Sequence, residues 1–129
     1  MAYRFVEHTA ELEVELESDS AEGILEEALR AFAELAGPAE GELVERPVDL
    51  AASDPPALLA AWLDELLFLA DAERLVPESA EVSVSGSRVT GVIRARRGDP
   101  RPLVKAVTLH RLRYGPKDGV WRGRVVLDV

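Results

Sequence analysis

The chain has 129 residues, of which 47% are hydrophobic and 30% charged, with no cysteine and a net charge of −9. This length and mixture are typical of a globular domain, and we expect one domain over residues 1–129. The lack of cysteine excludes disulfides, zinc–thiolate sites and thiol nucleophiles. The acidic excess disfavours broad nucleic-acid binding, which depends on neutralising phosphates with Lys and Arg. The sequence shows neither an apolar run of about 20 residues nor a basic-plus-apolar leader, so we expect a cytoplasmic protein that does not enter a membrane.

The charges are unevenly distributed along the chain. Residues 1–85 carry 4 Lys and Arg against 21 Asp and Glu, a net −17, whereas residues 86–129 carry 11 against 3, a net +8. Such a distribution would give a polarised surface that steers a charged partner. The alternative is that strands of the two halves alternate in one sheet and their charges pair across it. We favour this alternative, because the glutamates of residues 11–17 need basic neighbours.

The first part of the sequence predicts two strands and a helix. Tyr3–Glu7 is the first strand, and Glu11–Ser18 is the second, because its apolar and charged residues alternate. Apolar residues at helical spacing follow, and Gly37-Pro38 ends the helix. Asp19 is its predicted N-cap, with Glu22 as the reciprocal partner of a capping box.

A third strand and a second helix come next. Residues 42–52 predict the strand, in which Pro47 indicates an edge position or a bulge because proline cannot donate to a ladder. Residues 53–75 predict the helix, capped by Ser53 or Asp54. This helix is apolar on well over one face. We therefore expect it to be sandwiched, or to dock its second face on another surface.

Two hairpins complete the predicted fold. Residues 80–98 turn around Gly86, and residues 103–114 and 120–129 are connected across residues 115–119. The order of elements indicates an α+β domain of two layers. It has a mixed or antiparallel β-sheet with two α-helices packed on one face.

The usual signatures of catalysis are absent from the sequence. It contains no P-loop, no dinucleotide fingerprint, no G-x-S-x-G elbow and no H-E-x-x-H. Its two histidines, His8 and His110, are too few for most metal-hydrolase sites. We therefore predict no catalytic residue and no enzymatic activity.

Acidic residues stand at the start of the second strand and at the end of the chain. If Glu11 lies beside Asp128 and Val129, two side-chain carboxylates, a backbone carbonyl and a terminal carboxylate would converge. Such a set suits Ca²⁺, or Mg²⁺, rather than zinc. The alternative is that the two acids are solvated strand ends on opposite sides of the molecule. Spacing alone favours the alternative.

Four stretches of the sequence resemble the archease family. The opening "FVEHTAELEVEL" is similar to the family's aspartate, His-Thr-Ala, aspartate and alternating strand. The segment "WLDELLFLAD" is similar to its second helix, "VKAVTLHRL" to its late Lys-Ala-Val-Thr-x-His strand, and "VVLDV" to its C-terminal end. The four stretches occur in the family's order over nearly the whole chain. The chain is therefore identified as a member of the archease family.

This resemblance implies a function in RNA ligation. Archease is understood as a non-catalytic activator of the RtcB-type RNA ligase, promoting ligase guanylylation and multiple turnover in tRNA splicing and RNA repair. RNA would then meet this chain only through the ligase. A second role linked to the family is that of a general chaperone or modulator of other RNA-modifying enzymes, such as a tRNA methyltransferase.

The resemblance also implies a calcium site, whose ligands fall on Glu11, Asp128 and Val129. Both aspartates of the family's opening motif are glutamates here, Glu7 and Glu11. Each carboxylate is therefore one methylene further from its backbone, which flexible Ca²⁺ coordination tolerates.

The remaining motif residues are assigned to the turn or to partner contact. We expect His8 and Thr9 to fix the turn between the first two strands by hydrogen bonding. Lys105 and His110 match the late motif, either as partner contacts or as supports of the sheet.

Overall fold

The computed structural model describes residues 1–8 and 10–129, and of Glu7 and His8 it describes the backbone alone. Within these residues the chain forms seven strands and two helices. Their bounds are β1 Ala2–His8, β2 Glu11–Ser18, α1 Ala21–Ala36, β3 Leu43–Ala51, α2 Pro55–Glu73, β4 Leu75–Ser85, β5 Arg88–Arg97, β6 Ala106–Lys117 and β7 Val120–Asp128.

The strands form two antiparallel sheets. Sheet A has four strands in the order β1-β2-β7-β6, and sheet B has three in the order β3-β5-β4. The predicted α+β class is confirmed, and the one sheet of the prediction is divided in two. The two strands of each predicted hairpin pair with each other, as expected. In addition, β7 pairs with β2 in sheet A, and β5 pairs with β3 in sheet B.

Both helices contact strands of both sheets. The prediction that α2 is sandwiched is confirmed, since it packs on β6 and β7 of sheet A and on β3, β4 and β5 of sheet B. Trp62 of α2 is fully buried, and its indole N–H donates to the Leu25 carbonyl of α1 at 2.9 Å. Neither helix of the described chain is long and apolar enough to cross a membrane.

The helix N-termini confirm one predicted cap and correct the other. Asp54 caps α2 and accepts from the N–H three residues on, at 2.8 Å. The prediction of Asp19 as the cap of α1 is wrong, because Ser20 is the extended residue whose hydroxyl accepts from the N–H of residue 23, at 3.0 Å. Glu22 does not complete a capping box, because its carboxylate accepts the Val84 N–H of β4 at 3.0 Å.

Two features of the strands bear on the predicted turns. The edge position indicated by Pro47 is confirmed, since β3 pairs with β5 alone among the described strands. The predicted five-residue connection of the last hairpin is shorter in the structure. β6 extends to Lys117, and Asp118 and Gly119 make the turn with φ of 54° and 81°. Paired positive φ values are typical of a tight type I′ hairpin.

Charges of the two halves of the sequence pair across both sheets, as the favoured interpretation predicts. The pairs include Glu17–Arg122 in sheet A, and Asp49–Arg88, Glu45–Arg94 and Glu81–Arg94 in sheet B. The Arg88 guanidinium donates to Asp49 and lowers the pKa of that carboxyl. Part of the uneven charge is thus used inside the sheets.

Candidate functional site

The end of the chain lies against the start of β2. Asp128 is the residue directly opposite Glu11 where β7 pairs with β2. The Val129 N–H donates to the Ala10 carbonyl at 3.2 Å, and the Lys105 N–H donates to the Asp128 carbonyl at 2.7 Å. Glu11, Asp128 and Val129, called here the acidic tip, are therefore neighbours held by backbone hydrogen bonds on both sides of β7.

The two acids of the tip lie on the face of sheet A opposite to the buried Val14 and Leu16 of β2, called here the outer face. Residues directly opposite each other in an antiparallel pair have Cβ atoms about 4.5–5.5 Å apart, and like charges in that position destabilise the sheet. Glu11 and Asp128 are both half-buried, and neither forms an ion pair with a side chain that the structure describes. The tip is thus a local concentration of negative charge without a described counter-charge.

The other residues of the opening motif belong to the same joint. Glu7 and His8 lie in β1, where the backbone of His8 is opposite Glu11. Thr9 lies outside the described residues, so the hydrogen-bonding role predicted for it and for His8 stays a prediction. Ala10, which follows, has a φ of 59°, as in a turn residue.

Beyond the tip, β6 leaves its regular register with β7. Thr108 is opposite Val126, and the next paired residue is Arg113, opposite Arg124. Residues 109–112, the β6 bulge, therefore stand opposite a single residue of β7. The His110 N–H donates to the Thr108 hydroxyl at 3.3 Å, which helps to fix the start of the bulge.

The β6 bulge presents the predicted motif residue His110 and its neighbour Leu109 to solvent. Leu109 is 73% exposed, and His110 is exposed beside it. Lys105, which precedes β6, is exposed as well. The structure therefore places Lys105 next to the acidic tip and His110 in the bulge adjoining it.

The bulge covers an acid that the sequence predicts on a wet face. Glu13 is only 3% exposed, although it alternates with the apolar residues of β2. The Nη1 atom of Arg111, in the bulge, lies 3.3 Å from its Oε1 atom, an ion pair without a hydrogen bond, since Oε1 accepts none from the described residues. Val126 beside it is 2% exposed. The local pattern carries no signal for this burial, because the covering segment is about 100 residues away in the chain.

The donor chemistry of the tip is that of carboxylate oxygens. Among the described residues, no group of three or more His, Cys, Asp and Glu side chains is arranged to hold a metal. The tip has two such side chains, and main-chain oxygens of Val129 are next to them in the chain. Oxygen donors alone suit a hard cation.

Comparison with known proteins assigns the chain to one family. The archease protein family matches over residues 3–129. A protein of Archaeoglobus fulgidus named protein archease is 31% identical over 137 residues, and the match covers 100% of both chains.

Two solved structures are similar to this one. The solution structure of Methanobacterium thermoautotrophicum protein 1598 has a TM-score of 0.75 and 28% identity, covering 98% of each chain. The crystal structure of an archease from Thermotoga maritima, described as a possible chaperone, has a TM-score of 0.69. It is 23% identical, covers 100% of this chain and 98% of that one, and supports the fold alone.

Proposed function

The chain belongs to the archease family, and we propose that it is a non-catalytic activator of an RtcB-type RNA ligase. In this proposal it promotes guanylylation of the ligase and restores multiple turnover during tRNA splicing and RNA repair in the cytoplasm. RNA reaches it only through the ligase.

The observation that supports this proposal most is the acidic tip. Glu11 and Asp128 are opposed on one face of sheet A without a described counter-charge. Folding alone disfavours such a pair. A bound cation or a basic group of a partner would relieve the repulsion between the two carboxylates. In this proposal the acidic tip is the part of the activator that enters the active-site cleft of the ligase.

We further propose that the tip holds Ca²⁺, or Mg²⁺, through Glu11, Asp128 and Val129. The carboxylate donors fit a hard cation in chemical type. When bound, the cation would neutralise the two carboxylates and present positive charge to the ligase. Lys105 follows as a neighbouring cationic group whose backbone is hydrogen bonded to Asp128.

The surroundings of the tip suit contact with a protein partner. Leu109 is 73% exposed in the β6 bulge, and His110 is exposed next to it. An exposed large apolar side chain beside a charged site resembles an interface anchor surrounded by polar contacts. In this proposal the bulge contacts the ligase while the tip enters its active-site cleft.

The test is a multiple-turnover ligation assay with the ligase of the same organism, run with and without calcium. The RNA substrate carries a 2′,3′-cyclic phosphate and a 5′-hydroxyl. Ligase with the wild-type protein should complete many turnovers where ligase alone stalls, and Glu11→Gln and Asp128→Asn should remove most of this gain. The matched control is Asp71→Asn, an exposed acid of α2, which should activate like the wild type. Unchanged activation by both tip variants would refute the proposal.

A second candidate function is that of a chaperone or modulator of other RNA-modifying enzymes, such as a tRNA methyltransferase. The exposed Leu109 favours it, because a large apolar side chain in solvent suits contact with more than one protein. Co-purification from the source organism separates the two candidates. The second is favoured if a methyltransferase co-purifies and the ligase does not. This recovery should then be lost when Leu109 is replaced and unchanged when the tip acids are replaced.

A further inference from the structure

A basic cleft lies at the other end of the outer face of sheet A, next to the turn of the last hairpin. Four cationic side chains line it, namely Arg113, Lys117, Arg122 and Arg124. Its volume is about 300 Å³, at the lower end of the range of small-ligand pockets. Glu15 and Asp118 are the acids that also line it.

The pairing of β6 with β7 places like charges directly opposite each other in this cleft. Arg113 is the cross-strand partner of Arg124, and Lys117 lies two positions beyond Gly115, the partner of Arg122. Directly opposed like charges destabilise an antiparallel pair. This arrangement of side chains destabilises the sheet by itself, and it becomes favourable when an anion lies between the opposed cationic side chains.

The acids of the neighbouring strand β2 neutralise the cleft only in part. Glu15 is opposite Arg124, but its carboxylate accepts hydrogen bonds from the Arg4 guanidinium on β1. Of the four cations, Arg122 alone forms an ion pair with a described residue, at 3.4 Å from Glu17.

Arg124 carries a buried donor with no acceptor. Its Nε atom is fully shielded from solvent and has no hydrogen-bond partner among the described residues. Buried side-chain donors in native proteins are almost always satisfied, and the acceptor for this one is then a water molecule or an ion. An anion with several oxygens would supply acceptors for Arg113 and Lys117, which are exposed in the cleft and form no ion pair with a described residue.

From these observations we propose that the basic cleft binds the phosphate or polyphosphate group of a small phosphorylated ligand, of nucleotide size or smaller. Arginine guanidinium groups match phosphate oxygens as forks of parallel N–H donors, and lysine adds a point charge. The cleft is too small to hold a nucleic-acid duplex, and the net charge of −9 repels an extended phosphate backbone. Binding here requires neither a cation at the acidic tip nor a partner protein.

The test is a titration of the whole protein with inorganic pyrophosphate, followed by amide chemical shifts in low salt. The largest shifts should fall on residues 113–124 and saturate. The variant Arg113→Gln/Lys117→Gln removes two exposed cations and should weaken binding about tenfold or more, because two charge-assisted contacts are lost. The control Arg88→Gln/Arg97→Gln makes the same charge change in sheet B and should bind like the wild type.

Thermal unfolding without ligand provides an independent measurement. Because Arg113→Gln/Lys117→Gln removes the like-charge opposition, it should unfold at the wild-type temperature or higher. Pyrophosphate should then raise the unfolding temperature of the wild type more than that of the variant. A variant that is less stable without ligand and responds equally to pyrophosphate would overturn the proposal.

The source of the phosphate is distinguished by two further probes. Adenosine triphosphate represents a free nucleotide, and a short oligoribonucleotide with a 5′-phosphate, compared with its 5′-hydroxyl form, represents an RNA end. Binding of adenosine triphosphate that is tighter than that of pyrophosphate, and is weakened in Arg113→Gln/Lys117→Gln, supports the proposal and identifies a nucleotide. The same result with the 5′-phosphorylated oligoribonucleotide supports the cleft and identifies an RNA end, in which case RNA also reaches this chain without the ligase. Absence of saturable shifts with all phosphates, or equal or tighter binding of a tetraglutamate peptide at the same residues, would overturn it.

Discussion

Neutralising one acid of the tip should make the metal-free protein more stable. The variant is Glu11→Gln or Asp128→Asn, each of which keeps the shape of the side chain and removes one of two opposed charges. In water, unit charges at about 5 Å repel by about 0.8 kcal/mol, and by about 3 kcal/mol at an effective dielectric of 20. Because both side chains are half-buried, we take the lower part of this range, about 1 kcal/mol.

The assay is thermal unfolding in chelator and in excess calcium. For a domain of this size, about 1 kcal/mol corresponds to a rise of roughly 3–5 °C in Tm. In excess calcium the order should reverse, because a cation at 100 times its Kd stabilises the wild type by about 2.7 kcal/mol and the variants less. Asp71→Asn, an exposed acid without a described ion pair, should change neither value.

Two results would refute this reasoning at different steps. Tip variants that are no more stable than the wild type in chelator would show that the opposed carboxylates do not repel as their register implies. Tip variants that gain as much stability from calcium as the wild type would show that the cation is held elsewhere. The second result would leave the repulsion argument intact and remove the proposed metal ligands.

Three further predictions concern the stability of the fold. Trp62→Phe should cost about 1–3 kcal/mol in urea unfolding, because an α1 carbonyl loses its buried donor; a cost near zero would contradict this. Arg4 lowers the pKa of Glu15, so the contribution of this pair is present above the unfolded-state pKa and is lost as pH falls through the folded-state value. Wild-type and Glu15→Gln Tm values should therefore converge towards acid, and a constant gap down to acid pH would argue against the pair. Arg111→Ala should destabilise the protein by about 1–3 kcal/mol, reduced from the value for a fully buried pair because the arginine is half exposed, and Glu13→Gln in that background should restore most of the loss.

Local patterns in the sequence predict the elements of this fold and much of its pairing within hairpins. The alternation of residues 11–18 predicts β2, and the last hairpin turns at Asp118-Gly119, within the longer connection that the sequence predicts. Asp54, one of the two predicted caps of α2, can reach the first helical N–H groups without help from the rest of the fold. These predictions succeed because the interactions that decide them are between residues close in sequence.

The sequence does not predict what depends on distant segments. Ser20 and Asp19 are equally good caps by residue type, and the path of the chain from β2 decides between them. Glu13 alternates like its wet neighbours and is nevertheless buried, because the β6 bulge folds over it. The division into two sheets likewise depends on pairings outside the hairpins, namely that of β7 with β2 and that of β5 with β3.

The central position of β7 explains how one face of sheet A carries both an acidic and a basic site. β7 is paired on both sides, with β2 and β6, so its end is held where chain termini are commonly loose. Along its outer face the order is Asp128, the buried Val126 and then Arg124, which places the acid and the base about 13 Å apart.

That separation has a physical consequence for how the two sites act. It exceeds the Debye length of about 8 Å at physiological ionic strength, so the exposed Arg113 and Lys117 are largely screened from the tip there, while the half-buried Arg124 is screened less. At low salt the acidic tip would oppose an anion in the cleft, and a cation bound at the tip would favour it. The sign of this coupling, and its weakening on adding salt, follow from the register of a single strand with its two neighbours.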